Sequence, residues 1–272
     1  MKQLFDLTGK VIAITGAGGV LCGTIAKALA AAGAKVAIWD INEKTARSVA
    51  DHIKSDNGIA LAVNCDVLDK VSLQKAKEKT IAELGQIDIL INGAGGNKKE
   101  AATSEDLTFF DLPPEAVRFV FELNFIGTFL TTQLVARDMA QRGQGIILNI
   151  SSMAAFRPLT KVAAYSAAKA AVSNFTQWLA VHMCQNYSAD IRVNAIAPGF
   201  FLTEQNRFLL TDEKTGQLTE RGKTIIDHTP MARFGQPQDL IGTVFWLLSD
   251  AAKFVTGIVV PVDGGFSAFS GV

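Results

Sequence analysis

Short runs of β-branched and aliphatic residues alternate along the chain with longer segments that mix alanine with polar residues. The apolar runs, hydrophobic on both faces, predict strands of a covered parallel sheet at 11–15, 36–40, 59–64, 87–92, 146–151, 191–196 and 258–262. The segments between them predict helices at 20–32, 43–55, 69–84, 113–142, 162–187 and 237–249. Because strand and helix alternate throughout, the pattern predicts one doubly wound α/β domain over residues 1–272, with a seven-stranded parallel sheet and helices on both faces.

Two predicted connections, residues 93–112 and 198–236, are longer than the sheet requires. Long loops at the carboxyl ends of strands often shape substrate sites. We therefore expect residues 198–236 to form a lid over a substrate. An ordinary surface excursion is the alternative for both segments.

The composition supports a large apolar core and narrows the classes of partner. Of the 272 residues, 49% are hydrophobic, and 26 Lys and Arg balance 26 Asp and Glu. This balance provides no extended basic field for a phosphate backbone or an anionic membrane surface. We therefore expect a small-molecule ligand, and neither nucleic acid nor a membrane as a partner.

The cysteines and histidines predict neither disulfides nor a metal site. They are scattered without the spacing of metal ligands or of a disulfide framework: Cys22, Cys65, Cys184, His52, His182 and His228. Unpaired thiols are typical of a reducing compartment, and the first ten residues lack the apolar core of a signal peptide. The sequence therefore predicts a cytoplasmic location.

A glycine-rich turn between the first predicted strand and helix is a candidate ligand site. The sequence Gly16-Ala17-Gly18-Gly19 would let backbone amides approach a pyrophosphate, although a structural tight turn is the alternative. Asp40 ends the second predicted strand, where a carboxylate can accept hydrogen bonds from an adenosine ribose and would repel a 2′-phosphate. Gly16, Gly18, Gly19 and Asp40 therefore predict a site for NAD rather than NADP.

Tyr165 and Lys169 are four residues apart in a predicted helix, so their side chains share one face. A phenol is a weak base at neutral pH, but an ammonium about 4 Å away would lower its pKa by about three units at an effective dielectric constant of 20. Such a pair suits acid–base catalysis. Taken alone, the spacing favours a surface tyrosine beside a solvated lysine.

These residues do not stand alone, and together they resemble the short-chain dehydrogenase/reductase family, whose fold is of the Rossmann type. Tyr165 and Lys169 match its YxxxK signature, and Ser152, at the end of a predicted strand, matches its catalytic serine. Asn124 falls where the family has a helix asparagine that holds a proton-relay water. The resemblance implies that these four residues are catalytic.

The resemblance also implies further cofactor contacts. Asn92-Gly93-Ala94-Gly95 is similar to the family's NNAG element, and the Pro198-Gly199 pair with Thr203 is similar to its PGxxxT stretch near the nicotinamide. Asp66 matches the position of an adenine-contacting aspartate, and Val67 directly follows it. The implied cofactor residues, in addition to those of the glycine turn, are Asp66, Val67, Asn92, Ala94, Gly95, Tyr165, Lys169, Pro198, Gly199 and Thr203.

The glycine turn departs from the family pattern. The family's TGxxxGxG becomes Thr15-Gly16-Ala17-Gly18-Gly19-Val20-Leu21-Cys22, so that Val20 and Cys22 stand where the later two glycines are expected. Gly18, Gly19 or Gly23 could supply the missing freedom of the backbone. Which of them approaches the phosphates stays open.

The family's chemistry implies hydride transfer between nicotinamide and a carbinol carbon while Tyr165 exchanges the hydroxyl proton. Ser152 would steady the carbonyl oxygen, and Lys169 would lower the pKa of the tyrosine. The apolar face of residues 162–187 is expected to pack against another subunit, because the family's members are tetramers. A non-catalytic NAD-binding regulatory module is the alternative from another class, and the complete set of four residues argues against it.

Cations between Ser152 and Tyr165 indicate an anionic substrate. Arg157 could clamp a carboxylate in a bidentate fork, or it could pair with a group of the protein itself. The full set of predicted substrate residues is Arg157, Lys161, Asn97, Lys98, Gln205 and Arg207. These polar groups suit a sugar acid.

Four segments, GAGGVLCG, INGAGGN, SSMAAFRPLTK and APGFFLTEQNR, resemble the members of the family that interconvert D-fructuronate and D-mannonate. The resemblance implies NAD(H)-dependent reduction of a keto sugar acid within hexuronate metabolism. Members that act as gluconate 5-dehydrogenases, or another short-chain carbonyl reductase, are the alternative.

Overall fold

Seven parallel strands form one sheet in the computed structural model, which describes residues 2–202, 210–212 and 215–271. The strands are β1 (Val11–Thr15), β2 (Lys35–Asp40), β3 (Ile59–Asn64), β4 (Ile89–Asn92), β5 (Gly145–Ile150), β6 (Ile191–Pro198) and β7 (Val259–Val262). Their order across the sheet is β3-β2-β1-β4-β5-β6-β7. This confirms the predicted doubly wound α/β fold, and the predicted strand ends differ by at most two residues.

Both faces of the sheet are buried, which is why its strands read as continuous apolar runs. In β1, Ile12 and Ile14 belong to one core layer, whereas Val11 and Ala13 belong to the other. Successive side chains of a strand point to opposite faces, so a strand covered on both sides needs apolar residues at every position.

Helices cover the two faces of the sheet. They are α1 (Val20–Ala31), α2 (Glu43–Ser55), α3 (Lys70–Leu84), α4 (Pro114–Phe121), α5 (Gly127–Arg142), α6 (Ala163–Asn186), α7 (Glu220–Asp227) and α8 (Ile241–Leu248). Residues of α1, α2 and α8 belong to one core layer, and residues of α3, α5 and α6 belong to the other.

The predicted helix 113–142 contains a local change of geometry. A π-helical turn, Glu122–Ile126, joins α4 to α5 and contains Asn124. Single π turns inside α-helices are rare and are frequent at functional sites. The whole run Pro114–Arg142 is also long and apolar enough to cross a membrane, but core helices meet the same criterion and part of this one packs against α3 and the sheet.

The predicted loop 198–236 contains a helix that the sequence pattern did not indicate. The hydroxyl of Thr219 caps α7 by accepting a hydrogen bond of 3.0 Å from the amide of Gly222. A short helix with one buried side chain, Ile225, and the buried Gly222 has too little periodicity to be recognised in sequence. Residues 203–209 and 213–214 of this segment lie outside the described part of the chain.

The order of the strands determines where a ligand can bind. From β1 the chain continues to β2 and β3 on one side of the sheet, and from β4 it continues to β7 on the other side. In open α/β sheets, ligands bind outside the carboxyl ends of the strands at such a switch point. The ends of β1 and β4 therefore mark the centre of the candidate site.

Candidate active site

The turn after β1 and the loop after β4 are packed directly against each other. The hydroxyl of Thr15 accepts hydrogen bonds of 3.1 Å from the amides of both Gly93 and Ala94. Gly16 has a φ of +67°, and a Cβ added there would lie 2.8 Å from Cα of Ala94. Glycine is therefore required at position 16 by both its backbone conformation and the approach of the second loop.

The glycine turn also contacts the end of β2. One carboxylate oxygen of Asp40 accepts a hydrogen bond of 2.9 Å from the amide of Gly18, and the other accepts one of 2.9 Å from the amide of Asn42. A Cβ on Gly18 would overlap the hydroxyl of Thr45 and lie 2.9 Å from the carboxylate. Asp40 thus lies beside the glycine turn.

The N-terminus of α1 suits an anionic group. Its first residue follows Gly19, which provides no side-chain cap, and the first turn contains no acidic residue. By contrast, the side chains of Asn42 and Asp69 cap α2 and α3. Uncapped amides and the helix dipole favour a phosphate at such a terminus, so the glycine cradle and Asp40 fit a dinucleotide whose ribose hydroxyls meet the carboxylate.

The side chain of Asn92, a predicted cofactor residue, is bonded to other side chains of the protein. Its side chain is 2% exposed and donates hydrogen bonds of 2.8 Å to Thr132 of α5 and to Asn149 of β5. Asn149 in turn donates to Thr176 of α6 at 2.9 Å. The asparagine therefore joins the ends of two strands to two helices, and its buried side chain is not available to a ligand.

The other implied adenine and nicotinamide residues lie at the carboxyl ends of the strands. Asp66 follows β3 and accepts a hydrogen bond of 2.9 Å from the amide of Leu68, whereas the side chain of Val67 is buried. Gly199 follows β6, and a Cβ there would lie 2.6 Å from that of Asp263. Pro198 is the last residue of β6, and Thr203 lies outside the described residues.

Ser152, Tyr165 and Lys169 are brought together where β5 ends and α6 begins. The hydroxyl of Ser152 lies close enough to that of Tyr165 to lower the pKa of the phenol, and its oxygen accepts a hydrogen bond of 3.2 Å from the amide of Ala154. Lys169, one helical turn after Tyr165, has its Nζ 5.7 Å from the centre of the tyrosine ring. The buried ammonium donates a hydrogen bond of 2.8 Å to the carbonyl oxygen of Ile150.

Burial dominates the acid–base properties of this pair. It raises the pKa of Tyr165 above its usual value, and the nearby hydroxyl of Ser152 partly opposes the increase. Burial also lowers the pKa of Lys169 to about 8, against the opposing influence of Cys22. The structure therefore does not show the expected lowering of the tyrosine pKa by Lys169. The ammonium is directed instead to the backbone carbonyl of Ile150.

Asn124 is fully buried and holds the loop after β4. Its Oδ1 accepts a hydrogen bond of 3.1 Å from the amide of Gly96, and its Nδ2 donates to the carbonyl oxygens of Gly96 at 2.7 Å and Val120 at 2.8 Å. A Cβ on Gly95 would lie 2.5 Å from this Oδ1 and 3.2 Å from Nζ of Lys169. Gly95 thus allows the asparagine and the lysine to approach each other.

Two of the predicted substrate cations, Arg157 and Lys98, have partners within the protein. Nε of the exposed Arg157 donates a hydrogen bond of 3.2 Å to the carbonyl oxygen of Ser267, and Nζ of Lys98 lies 4.8 Å from the centre of the Phe119 ring. Lys161 is exposed and adopts a φ of +74°. Asn97 is exposed, and Gln205 and Arg207 lie outside the described residues.

Backbone groups and the C-terminal segment complete the site, and sequence reasoning missed them. The carbonyl oxygens of Ile150 and Gly96, which hold Lys169 and Asn124, have no signature in a sequence. The carboxylate of Asp263 accepts hydrogen bonds from the amides of Gly265 at 3.0 Å and Ser267 at 2.8 Å. The Asp-Gly-Gly sequence at 263–265 is a turn signal that could have indicated this segment. Within the described ranges, no three His, Cys, Asp or Glu residues are grouped as metal ligands.

Comparison with known proteins relates this site to oxidoreductases. A family model described as enoyl-(acyl carrier protein) reductase matches residues 19–267. The uncharacterized oxidoreductase UxuB of Bacillus subtilis is 48% identical over 276 residues, which cover 98% of each chain. A structure from Haemophilus influenzae, provisionally named a D-mannonate oxidoreductase and containing bound NAD, has a TM-score of 0.92 and 47% identity, and covers 98% of each chain.

More distant relatives act on different carbonyl compounds. The 7α-hydroxysteroid dehydrogenase of Escherichia coli is 37% identical, and the match covers 95% of this chain and 94% of the enzyme. The 5-keto-D-gluconate 5-reductase of the same species is 34% identical, and the match covers 97% of this chain and 98% of the enzyme. Both similarities extend over nearly the whole chain.

The lowered pKa of Lys169 predicts a pH-dependent effect of Lys169→Met on stability. From about pH 8 to 10.5 the unfolded chain holds a proton at this lysine that the folded chain releases, so the contribution of this group to stability rises with pH. Below pH 8 the buried charge costs about 3 kcal/mol, which the methionine variant avoids. The free energy of unfolding of Lys169→Met minus that of the parent should therefore be largest near pH 7 and should decrease toward pH 10.

Urea denaturation of both proteins at several pH values between 7 and 10 tests this prediction. Groups that titrate equally in the two proteins cancel in the difference between their free energies of unfolding. A difference that stays constant over this range would contradict the effect of burial on the lysine.

Proposed function

The chain belongs to the short-chain dehydrogenase/reductase family, and we propose that it is an NAD(H)-dependent oxidoreductase that interconverts a keto sugar acid and its hydroxy acid. The observation that carries the proposal is the grouping of Ser152, Tyr165 and Lys169 beside the loop after β4. Bound NAD(H) would supply or accept the hydride at the carbinol carbon. The protein's own residues bind the reactants and move the proton.

Tyr165 is the proton donor for carbonyl reduction. Because burial raises its pKa, its hydroxyl is protonated at neutral pH and can give its proton to the oxygen of the carbonyl group. Ser152, which lies beside the tyrosine hydroxyl, donates a hydrogen bond to the same oxygen as negative charge develops there. In the direction of alcohol oxidation, the tyrosine takes the proton back.

Lys169 and Asn124 maintain the surroundings of the tyrosine. With a pKa of about 8, Lys169 is mainly charged at neutral pH, and its ammonium, held by the carbonyl oxygen of Ile150, would donate hydrogen bonds to the nicotinamide ribose. Asn124 holds Gly96 and so positions the loop after β4, on which Ala94 and Gly95 would contact the cofactor. A water bound in this region would pass the proton to solvent.

The glycine turn and Asp40 favour NAD over NADP. The uncapped N-terminus of α1 would receive the pyrophosphate, and glycine at positions 16 and 18 allows the close approach of Ala94 and Asp40 beside it. The oxygens of Asp40 each accept one amide and retain a second lone pair for the ribose hydroxyls. The bound NAD of the Haemophilus influenzae protein supports this choice.

D-fructuronate and D-mannonate are the substrate pair we propose. The name of the Haemophilus influenzae protein supports it, and the exposed cations Arg157, Lys161 and Lys98 suit a carboxylate. Arg157 donates through Nε to Ser267, so it would use its two terminal nitrogens for the substrate. A gluconate 5-dehydrogenase is the second candidate, since a 5-keto-D-gluconate 5-reductase resembles this chain over nearly its full length.

The same proposal covers the organisation and setting of the protein. Residues 1–272 would form one domain, with 198–236 as the lid over the substrate, and the enzyme would act in the cytoplasm in hexuronate metabolism. Neither nucleic acid nor a membrane would be a partner, consistent with the balanced charge of the chain.

We also propose a homotetramer that forms through the exposed aromatic face of α5 and α6. Phe129, Phe175, Trp178, His182 and Tyr187 line a groove of about 460 Å³ on this face. The rings of Trp178 and His182 are stacked with their centres 4.7 Å apart, and 55% of Trp178 is exposed. A second copy of the chain would bury this apolar surface.

Tyr165→Phe should reduce turnover at least a hundredfold while the affinity for NAD stays within a few-fold of the parent, because only the transferable proton is lost. Steady-state kinetics and calorimetric titration with NAD measure the two effects. Tyr187→Phe, at the exposed end of α6, is the matched control and should retain activity. Turnover of Tyr165→Phe within tenfold of the parent would refute the assigned role.

Asp40→Ala should narrow the preference for NADH over NADPH, because it removes both the ribose acceptor and the charge that repels a 2′-phosphate. The ratio of kcat/KM for the two coenzymes is the measurement. Asp51→Ala, an exposed carboxylate of α2, should leave that ratio unchanged. A parent enzyme that works faster with NADPH at equal concentration would show that the role given to Asp40 is wrong.

The substrate prediction is tested with D-fructuronate, 5-keto-D-gluconate, a 7-oxo steroid and an acyl thioester, each with NADH, by following the absorbance of the reduced nicotinamide. We expect the fastest reduction with D-fructuronate. Reduction of 5-keto-D-gluconate alone would favour the second candidate. Binding of NAD without reduction of any compound would favour the non-catalytic regulatory module.

A double-mutant cycle tests the carboxylate contact. Removing the carboxylate from the substrate should weaken binding in the parent more than in Arg157→Ala, with a coupling of about 2 kcal/mol or more for a direct charged hydrogen bond. Coupling near zero would favour a carboxylate contact with Lys161, Lys98 or Arg207.

Trp178→Glu should convert the tetramer to smaller species, since it places a charge in the aromatic face that the proposed assembly would bury. Light scattering at micromolar concentration measures the mass. Val71→Glu introduces the same charge at an exposed position of α3 and should leave the mass unchanged. A monomeric parent would rule out the proposed assembly.

A further inference from the structure

Two departures from the family's motifs meet in the structure. Cys22 replaces the last glycine of the turn pattern, and Gly93 replaces the second asparagine of the NNAG element. The two positions are far apart in the sequence. In the fold, Cys22 lies in the first turn of α1, and Gly93 directly follows β4.

Cys22 occupies the space that a side chain at position 93 would need. The cysteine is 5% exposed. A Cβ added to Gly93 would overlap its Sγ, would lie 3.6 Å from its Cβ and would lie 2.8 Å from the carbonyl oxygen of Thr15. The same glycine donates its amide to the hydroxyl of Thr15, so there is little room for the loop to withdraw.

We propose that Cys22 and Gly93 form a size-exchanged pair in which the thiol fills the gap between α1 and the loop after β4. Cys22 is thus a positioning residue: its volume determines how closely the glycine turn approaches Ala94 and Gly95. This inference rests on the proposed function in so far as that approach sets the affinity for NAD. A smaller residue at position 22 loosens the contact, and a larger one at position 93 separates the two segments.

The thiol acts through its volume rather than its reactivity. Burial raises its pKa to about 12, so it stays protonated at physiological pH even with Lys169 nearby. Protein interiors are close-packed, and a change of one or two heavy atoms in such a contact is felt by the surrounding backbone.

Four proteins test the pair: the parent, Cys22→Gly, Gly93→Ala and the double variant. We expect Gly93→Ala to raise the Kd for NAD at least tenfold and Cys22→Gly to raise it several-fold. The double variant should bind NAD at least threefold more tightly than Gly93→Ala, since the added methyl group no longer overlaps the thiol, and its remaining contact with the carbonyl oxygen of Thr15 keeps the recovery partial. KM for NADH should follow Kd, while kcat changes less than threefold. Gly242→Ala, where an added Cβ has open space, is the control.

The outcomes separate this pair from the proposed function. No recovery of NAD affinity in the double variant would refute the pairing, and lowered thermal stability with an unchanged Kd would refute the positioning role.

If Gly93→Ala does not fold, folding of the double variant counts as the recovery, and failure of the double variant to fold counts against the pair. If the parent binds no NAD, the proposed function fails, and coupling between the two substitutions in urea unfolding still decides whether the side chains are exchanged in size.

Discussion

The close contact between the segments that follow β1 and β4 is the constraint on which the site depends. Parallel strands bring their carboxyl ends to one edge, and the change of direction between these two strands opens a crevice there. The crevice keeps its shape because Thr15 binds two amides of the opposite segment and because Gly16 has no side chain to separate them. The space beside Asp40 and the position of Gly95 next to Lys169 both follow from this contact.

Burial gives the catalytic group its chemical character. A tyrosine in water and a lysine in water differ little in pKa, but the desolvated site moves the two values apart, with the phenol higher and the ammonium lower. The ammonium keeps its charge at neutral pH with the help of the carbonyl oxygen of Ile150, at the end of β5. The strand that precedes Ser152 thus also holds the lysine.

Local patterns were sufficient for the strands, the glycine turn and the Tyr165-Lys169 spacing, because each depends on residues close together in the sequence. The π turn at Asn124 could not be predicted, since it accompanies hydrogen bonds to Gly96, which lies on another segment. Asn92 was assigned to the ligand on a motif, whereas its position among Thr132 and Asn149 requires the packed sheet and helices. Long-range polar contacts of this kind have no period along the chain.

Substrate choice is the least predictable property for the same reason. Arg157 and Lys98 have the right charge for a carboxylate, but Ser267 and Phe119, distant in sequence, determine how much of each cation is free to meet one. A substitution near either partner would redirect the cation and leave Ser152, Tyr165 and Lys169 unchanged. Ser152, Tyr165 and Lys169 form a compact, local set, whereas the surroundings of Arg157 and Lys98 depend on contacts between separate loops, so related chains can share the first and differ in the second.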